Sequence, residues 1–157
     1  MHDRELYRQI LGIQSPWEVS QVDVDLPGSG VTVHIQHSGA DLACPQCGVA
    51  CSGYDSGERK WRHLDTCQYS TWLVAQVPRI RCPEHGVHQL SVPWAESNSR
   101  LTALFEALVI DWLKIGTISK VATQLGLSWS VVSGVQARAR ARPGTTQPGL
   151  PRLDRHR

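Results

Sequence analysis

Hydrophobic positions change period along this chain, and each period predicts an element. Residues 3–12 place Leu6, Ile10 and Leu11 at helical spacing, and Pro16 blocks continuation, so a short amphipathic helix is predicted. Residues 18–25 (EVSQVDVD) and 31–37 (VTVHIQH) alternate apolar and polar around Pro27, Gly28 and Gly30, the pattern of a β-hairpin. CPQCG at 44–48 reads as a tight turn, and a polar stretch, SGYDSGERK, follows it. WRHLD at 61–65 and YSTWLVAQVPRIRC at 69–82 read as strands, the second bulged at Pro78. CPEHG at 82–86 is a second tight turn.

After VPWA at 92–95 the period becomes helical. Leu101, Leu104, Phe105, Leu108, Val109 and Trp112 predict a helix from Arg100 to Lys114, with Asn98 or Ser99 as its cap. Two short helices follow, at 117–125 and 129–141, and Pro143 ends the last. The fold class is α+β: a β-rich module over 1–95, a helical module over 96–142, and a disordered tail over 143–157.

Charge divides the chain in the same place. Residues 1–113 hold eight Lys/Arg and thirteen Asp/Glu, whereas residues 114–157 hold eight Lys/Arg and only Asp154. A basic C-terminal third on an acidic body is the footprint of a nucleic-acid contact. The N-terminus is charged and has no signal-peptide apolar core, and no apolar run approaches the ~20 residues of a membrane span. A cytoplasmic, nucleoid-associated location with no membrane partner is expected. In that reducing compartment five Cys argue for metal binding over disulfides. Six Trp stand beside one Phe and one Met, a balance that no periodicity explains.

Cys44-Pro-Gln-Cys47 and Cys82-Pro-Glu-His85 share a two-residue ligand gap and are each followed by glycine, Gly48 and Gly86. Two such knuckles complete a tetrahedron, so Cys44, Cys47, Cys82 and His85 are the predicted ligands of a structural Zn2+. A closed four-ligand site has no open position for a reacting water. His88 is the rival to His85. Cys51 and Cys67 are read as small core or surface residues, and His34, His37 and His63 as strand-packing or solvent-facing groups.

ISKVATQLGLSWSVVSGV at 118–135 carries the pattern of a helix-turn-helix. Val121, Leu125, Leu127, Val132 and Val135 lock two crossing helices, Ala122 is small at their approach, Gly126 supplies the turn and Ser128 caps the second helix. Placed in the major groove, helix 129–141 would turn Trp129, Ser130, Ser133 and Gln136 towards base edges. Trp129 has a second reading, packing in the local core. Lys114, Lys120, Arg138, Arg140 and Arg142 would meet phosphates.

CPQCG, WRHLD, VPRIRCPEHG, VPWAESNSR, FEALVIDWL and the helix-turn-helix together resemble the N-terminal half of bacterial insertion-sequence transposases of the ISL-three type, over residues 1–142. The resemblance implies a zinc-binding domain and a helix-turn-helix that recognise double-stranded DNA at the transposon's terminal inverted repeats, and it places the metal ligands on Cys44, Cys47, Cys82 and His85. In that family a nuclease fold with three acidic residues follows; here only Asp154 follows the last helix, and PGTTQPGLPRLDRHR does not resemble that fold. The expectation is therefore a truncated, non-enzymatic DNA-binding fragment, whose protein partner is itself or a full-length transposase. The alternative is a stand-alone zinc-containing helix-turn-helix regulator. A small metal-dependent enzyme or redox protein is disfavoured, because no nucleophile–base pair stands out.

Overall fold

The computed structural model describes residues 3–142, and the predicted tail over 143–157 lies outside them. The chain forms two compact units that part between Phe105 and Glu106. Among the described residues the first unit holds α1 (Asp3–Leu11), β1 (Trp17–Asp25), β2 (Gly30–His37), β3 (Ser52–Thr66), β4 (Tyr69–Cys82) and β5 (Gly86–Gln89). α2 (Ala103–Leu113) begins at its end, and α3 (Ile118–Leu125) and α4 (Trp129–Ala141) complete the second unit. None of these helices is long and apolar enough to cross a membrane.

The β-rich module is a five-stranded mixed sheet in the order β1-β2-β4-β3, with β5 also on β4. β1 and β2 form the expected hairpin, whose alternation buries Val31, Val33 and Ile35. β2 then pairs in parallel with β4, from Gly30–Ser70 to Ile35–Ala75. β4 is central. One side is covered throughout by β3, the other first by β2 and then by β5. Pro78 falls in the gap between β2 and β5, where no ladder donor is needed, and its carbonyl accepts from Leu90 N–H at 2.9 Å. The expected bulge is therefore on the partner strand: the register of β3 shifts between Gly53 and Asp55 and again between His63 and Thr66.

β3 also starts at Ser52 rather than at Trp61. Its first half is polar because it is exposed, and it holds β4 through backbone pairing and cross-strand contacts, Asp55 with Arg79 and Glu58 with Gln76. In α1 the buried residue is Tyr7, while Leu6 and Ile10 are exposed. The Tyr7 hydroxyl anchors the helix by a 2.7 Å hydrogen bond to Thr66.

Three of the six tryptophans are accounted for in the core. Trp17, Trp94 and Trp61 stack edge to face at 4.9 and 5.4 Å, among Val33, Leu73, Ala75 and Val77. Each such ring buries far more apolar area than a Leu and adds quadrupole attraction. His37 continues the chain at 4.7 Å from Trp17, and Arg59 closes it 4.9 Å over Trp61.

α2 starts two residues after Leu101, and its cap is Thr102, whose hydroxyl accepts from Phe105 N–H at 3.3 Å. Neither Asn98 nor Ser99 takes that role. Thr102 is itself held by His63, whose Nδ1 lies 2.8 Å from its hydroxyl. Burial, and then the charge of Arg62, push the His63 pKa down to about 4. The imidazole is thus neutral in the fold and protonates near its ordinary value of 6.5 only in the unfolded chain. Stability from this group is complete above pH 6.5 and is lost as the pH falls towards 4, by at most about 3 kcal/mol. His63→Asn should remove that part of the acid sensitivity. Unfolding midpoints of both proteins between pH 4 and 7, with zinc in excess, test this; parallel pH curves would refute it.

Candidate metal centre and nucleic-acid interface

The metal centre is built at one end of the sheet. The first knuckle is closed by Gly48 N–H on the Cys44 carbonyl (2.8 Å) and Cys44 N–H on the Val49 carbonyl (2.9 Å), with a short bridge between Ala43 and Ala50. The second is the β4–β5 turn, where Cys82 pairs with Gly86. Gly48 and Gly86 have φ of +72° and +75°, the left-handed turn expected after each knuckle. An added Cβ would meet nothing within 4 Å at either position, so conformation rather than space is what calls for glycine there.

These turns bring one ligand atom each from Cys44, Cys47, Cys82 and His85 within 4.8 Å of one another. Cys47 and Cys82 sulfurs are 3.7 Å apart, and His85 Nδ1 lies 3.7 Å from the Cys44 sulfur and 3.5 Å from that of Cys82. A tetrahedral zinc with ordinary bond lengths has edges of about 3.8 Å between sulfurs and about 3.5 Å between sulfur and nitrogen. The side chains therefore fit the ion. The electrostatics agree for the two buried thiols. The Cys47 N–H, more than any other group, lowers the Cys44 pKa. At Cys82 burial opposes ionisation, but the N–H groups of His85 and Glu84 and the neighbouring sulfurs outweigh it.

The rivals stand outside the group. His88 points its Nε2 at the His85 carbonyl and so braces the knuckle. Cys51 is half-buried, donates to the Val49 carbonyl at 3.2 Å, and is pushed up by burial. Cys67 is exposed in the β3–β4 turn. His34 pairs with Asp23 at 2.9 Å.

In the second unit the sequence pattern and the helices coincide. Thr117 caps α3 by accepting from Lys120 N–H, Gly126 takes φ +65° after it, and Ser128 caps α4 by accepting from Val131 N–H. Val121, Ala122, Val132 and Val135 are buried, Leu125 and Leu127 half-buried, and α3 packs against α4. Trp129 is 57% exposed at the start of α4, which removes the core reading for it. Ser130 is exposed beside it, with its hydroxyl 3.1 Å from that of Ser128, while Ser133 and Gln136 are half-buried. Lys114, Lys120, Arg140 and Arg142 are exposed. Lys114 pairs with Asp111 at 2.7 Å. Arg138 turns back to Glu106 of α2, 2.5 Å away, an ion pair that spacing along one helix could not reveal.

A family model described as the zinc-finger of transposase IS204/IS1001/IS1096/IS1165 matches residues 42–85, and one described as the helix-turn-helix domain of transposase family ISL3 matches residues 90–140. The transposase for insertion sequence element IS1557 of Mycobacterium tuberculosis, in strains CDC 1551 / Oshkosh and ATCC 25618 / H37Rv, is 30% identical over 146 residues, covering 88% of this chain and 33% of the relative. The chain thus spans about a third of the length of these curated relatives. No solved structure matches it. With its Cys/His knuckles inside the first match and its two capped helices inside the second, the chain carries the zinc-finger and DNA-binding helix-turn-helix domains of the ISL3 transposase family and belongs to that family.

Proposed function

We propose that residues 3–142 recognise double-stranded DNA at the terminal inverted repeats of an insertion sequence. The observation that carries this reading is the α3–α4 pair: a left-handed Gly126 turn, an N-capped second helix, and an exposed Trp129 and Ser130 where a recognition helix meets base edges. Ser133 and Gln136 lie further along α4, and Lys120, Arg140 and Arg142 offer charge to phosphates. Cys44, Cys47, Cys82 and His85 would hold one Zn2+, whose four filled positions give it a structural role.

Strand transfer is assigned outside these residues. Two-metal phosphodiester chemistry needs a set of carboxylates, and the group that could share a metal among the described residues is the Cys3His cluster. Competition binding at two salt concentrations, with the element's terminal repeat and a scrambled duplex, tests the proposal. The repeat should win at both concentrations. Equal competition by the two duplexes would remove sequence recognition, and no binding to either would remove the DNA reading altogether.

A further inference from the structure

The first unit is acidic in sum, yet its cations are not evenly spread. Five of its eight Lys/Arg lie on β3 and β4: Arg59, Lys60, Arg62, Arg79 and Arg81. Their partners sort them. Arg59 sits over Trp61 and also donates to the Gln89 side chain and the Ser99 carbonyl. Arg62, only 12% exposed, is bound to two backbone carbonyls, Ser70 and Asp65. These two build the sheet. Arg79 and Arg81 keep accessible guanidinium groups, although Arg79 also reaches across to Asp55 of β3. Both are exposed, at alternate positions of β4 and hence on one face of it. Their guanidinium carbons lie 5.6 and 4.8 Å from the ring centroid of Tyr54, which is itself 50% exposed.

We propose that Arg79, Arg81 and Tyr54 form a second contact for duplex DNA, made to the phosphate backbone by the zinc-clamped end of the sheet. Three observations support it. The shared ring holds two planar forks side by side, which lowers the entropy lost when they meet phosphate oxygens. Both stay exposed among the described residues, as does β3 from Ser52 to Ser56 opposite them. Arg79's one carboxylate partner, Asp55, forms an ion pair exposed on both sides. Such a pair stabilises little, so exchanging it for a phosphate costs little. Arg81 makes no ion pair among the described residues. The contact lies next to Cys82, so the ordering of this end by metal would govern it. Because it meets phosphates, it adds affinity without sequence preference. The inference rests on the DNA-binding reading above and deepens it.

The test uses the full zinc-loaded chain and fluorescence anisotropy with a labelled 30-bp duplex of random sequence over a range of salt. Arg79→Gln/Arg81→Gln should flatten the slope of log affinity against log salt by about 1.8, and Arg81→Gln alone by about 0.9. Arg79→Lys/Arg81→Lys should keep most of the slope, and Lys60→Gln all of it. Zinc content and melting temperature report whether each variant is folded; if the double variant is not, the single Arg81 variant decides. Arg140→Gln in α4 runs beside them. An unchanged slope for the β4 variants, with a reduced one for Arg140→Gln, overturns the second contact and leaves the helix-turn-helix reading intact. The reverse result sustains the contact and overturns that reading. A loss seen only with a single-stranded probe overturns the duplex assignment.

Discussion

Chelating the metal should melt one end of the first unit and leave the rest folded. The reason lies in how its two cores are composed. The cluster beside the knuckles has three buried members, Cys44, Ile80 and Cys82, with Leu42, Cys51 and Leu90 at its edge. Two of the three are the proposed ligands, so without metal the fully buried apolar packing beside the knuckles reduces to Ile80. The larger core, which contains Trp17, Val33, Trp61, Leu73, Val77 and Trp94, contains no ligand. Structural zinc in small fingers contributes roughly 10–16 kcal/mol of folding free energy, more than the burial of one Ile side chain at about 1.5–3 kcal/mol. Hydrogen exchange should therefore speed up sharply over residues 42–51 and 79–89 on chelation, and only slightly over β1, β2 and the tryptophan stack. Cys82→Ser should act like chelation, because it removes a ligand and a core side chain together. Cys51→Ser should be mild, and Cys67→Ser, exposed in its turn, nearly neutral. Equal protection of the knuckles with and without chelator would falsify the structural-zinc assignment.

The parts of this fold that were legible in the sequence are those fixed by local chemistry. α3 begins at its Thr117 cap and ends at the left-handed Gly126, α4 begins at its Ser128 cap, and each of these residues acts on its own neighbours. The knuckles are equally local: a ligand, two residues, a ligand and a glycine. Their meeting across thirty-four residues is not local, but metal chemistry requires it, so the matching spacing of the two turns announces it.

What the sequence hid depends on partners. The first half of β3 is polar because it lies exposed at an edge, so alternation fails although Ser52–Glu58, apart from the bulged Tyr54, is paired with β4. The parallel pairing of β2 with β4 and the short β5 leave no periodic mark either. In α1 three apolar residues suggested a buried face, but Tyr7 is the one buried, because its hydroxyl finds Thr66 fifty-nine residues away. The same limit applies to charge. Counting charges correctly set the basic third apart from the acidic body, but it could not show that Arg79 and Arg81 share a ring or that Arg138 is engaged by Glu106.

That last pairing separates residues of α4 that look alike in the sequence. Arg138 and Arg142 stand one turn apart, and both were expected at phosphates. In the structure Arg138 ties α4 to α2 through Glu106, whose side chain is only 11% exposed. Removing the guanidinium takes a charged hydrogen bond from a nearly buried carboxylate, at a cost of about 1–3 kcal/mol. Arg138→Gln should therefore lower the melting temperature of the second unit, and Glu106→Gln should lower it similarly. Both should weaken binding to specific and random DNA together, through the position of the helix. Arg140→Gln should leave the melting temperature alone and reduce the salt slope by about 0.9. Trp129→Ala, Ser133→Ala and Gln136→Ala should show a third behaviour. Where each reaches a base, the loss should fall on the terminal repeat alone, at about 1–3 kcal/mol per contact, or roughly 5- to 150-fold in affinity. Trp129 offers the most surface and should sit at the upper end. Melting curves for all six variants, with titrations of repeat and scrambled duplex, distinguish the three behaviours. If Arg138→Gln behaves like Arg140→Gln, the ion pair is not what positions α4; if the three alanine variants weaken both duplexes equally, α4 does not read sequence.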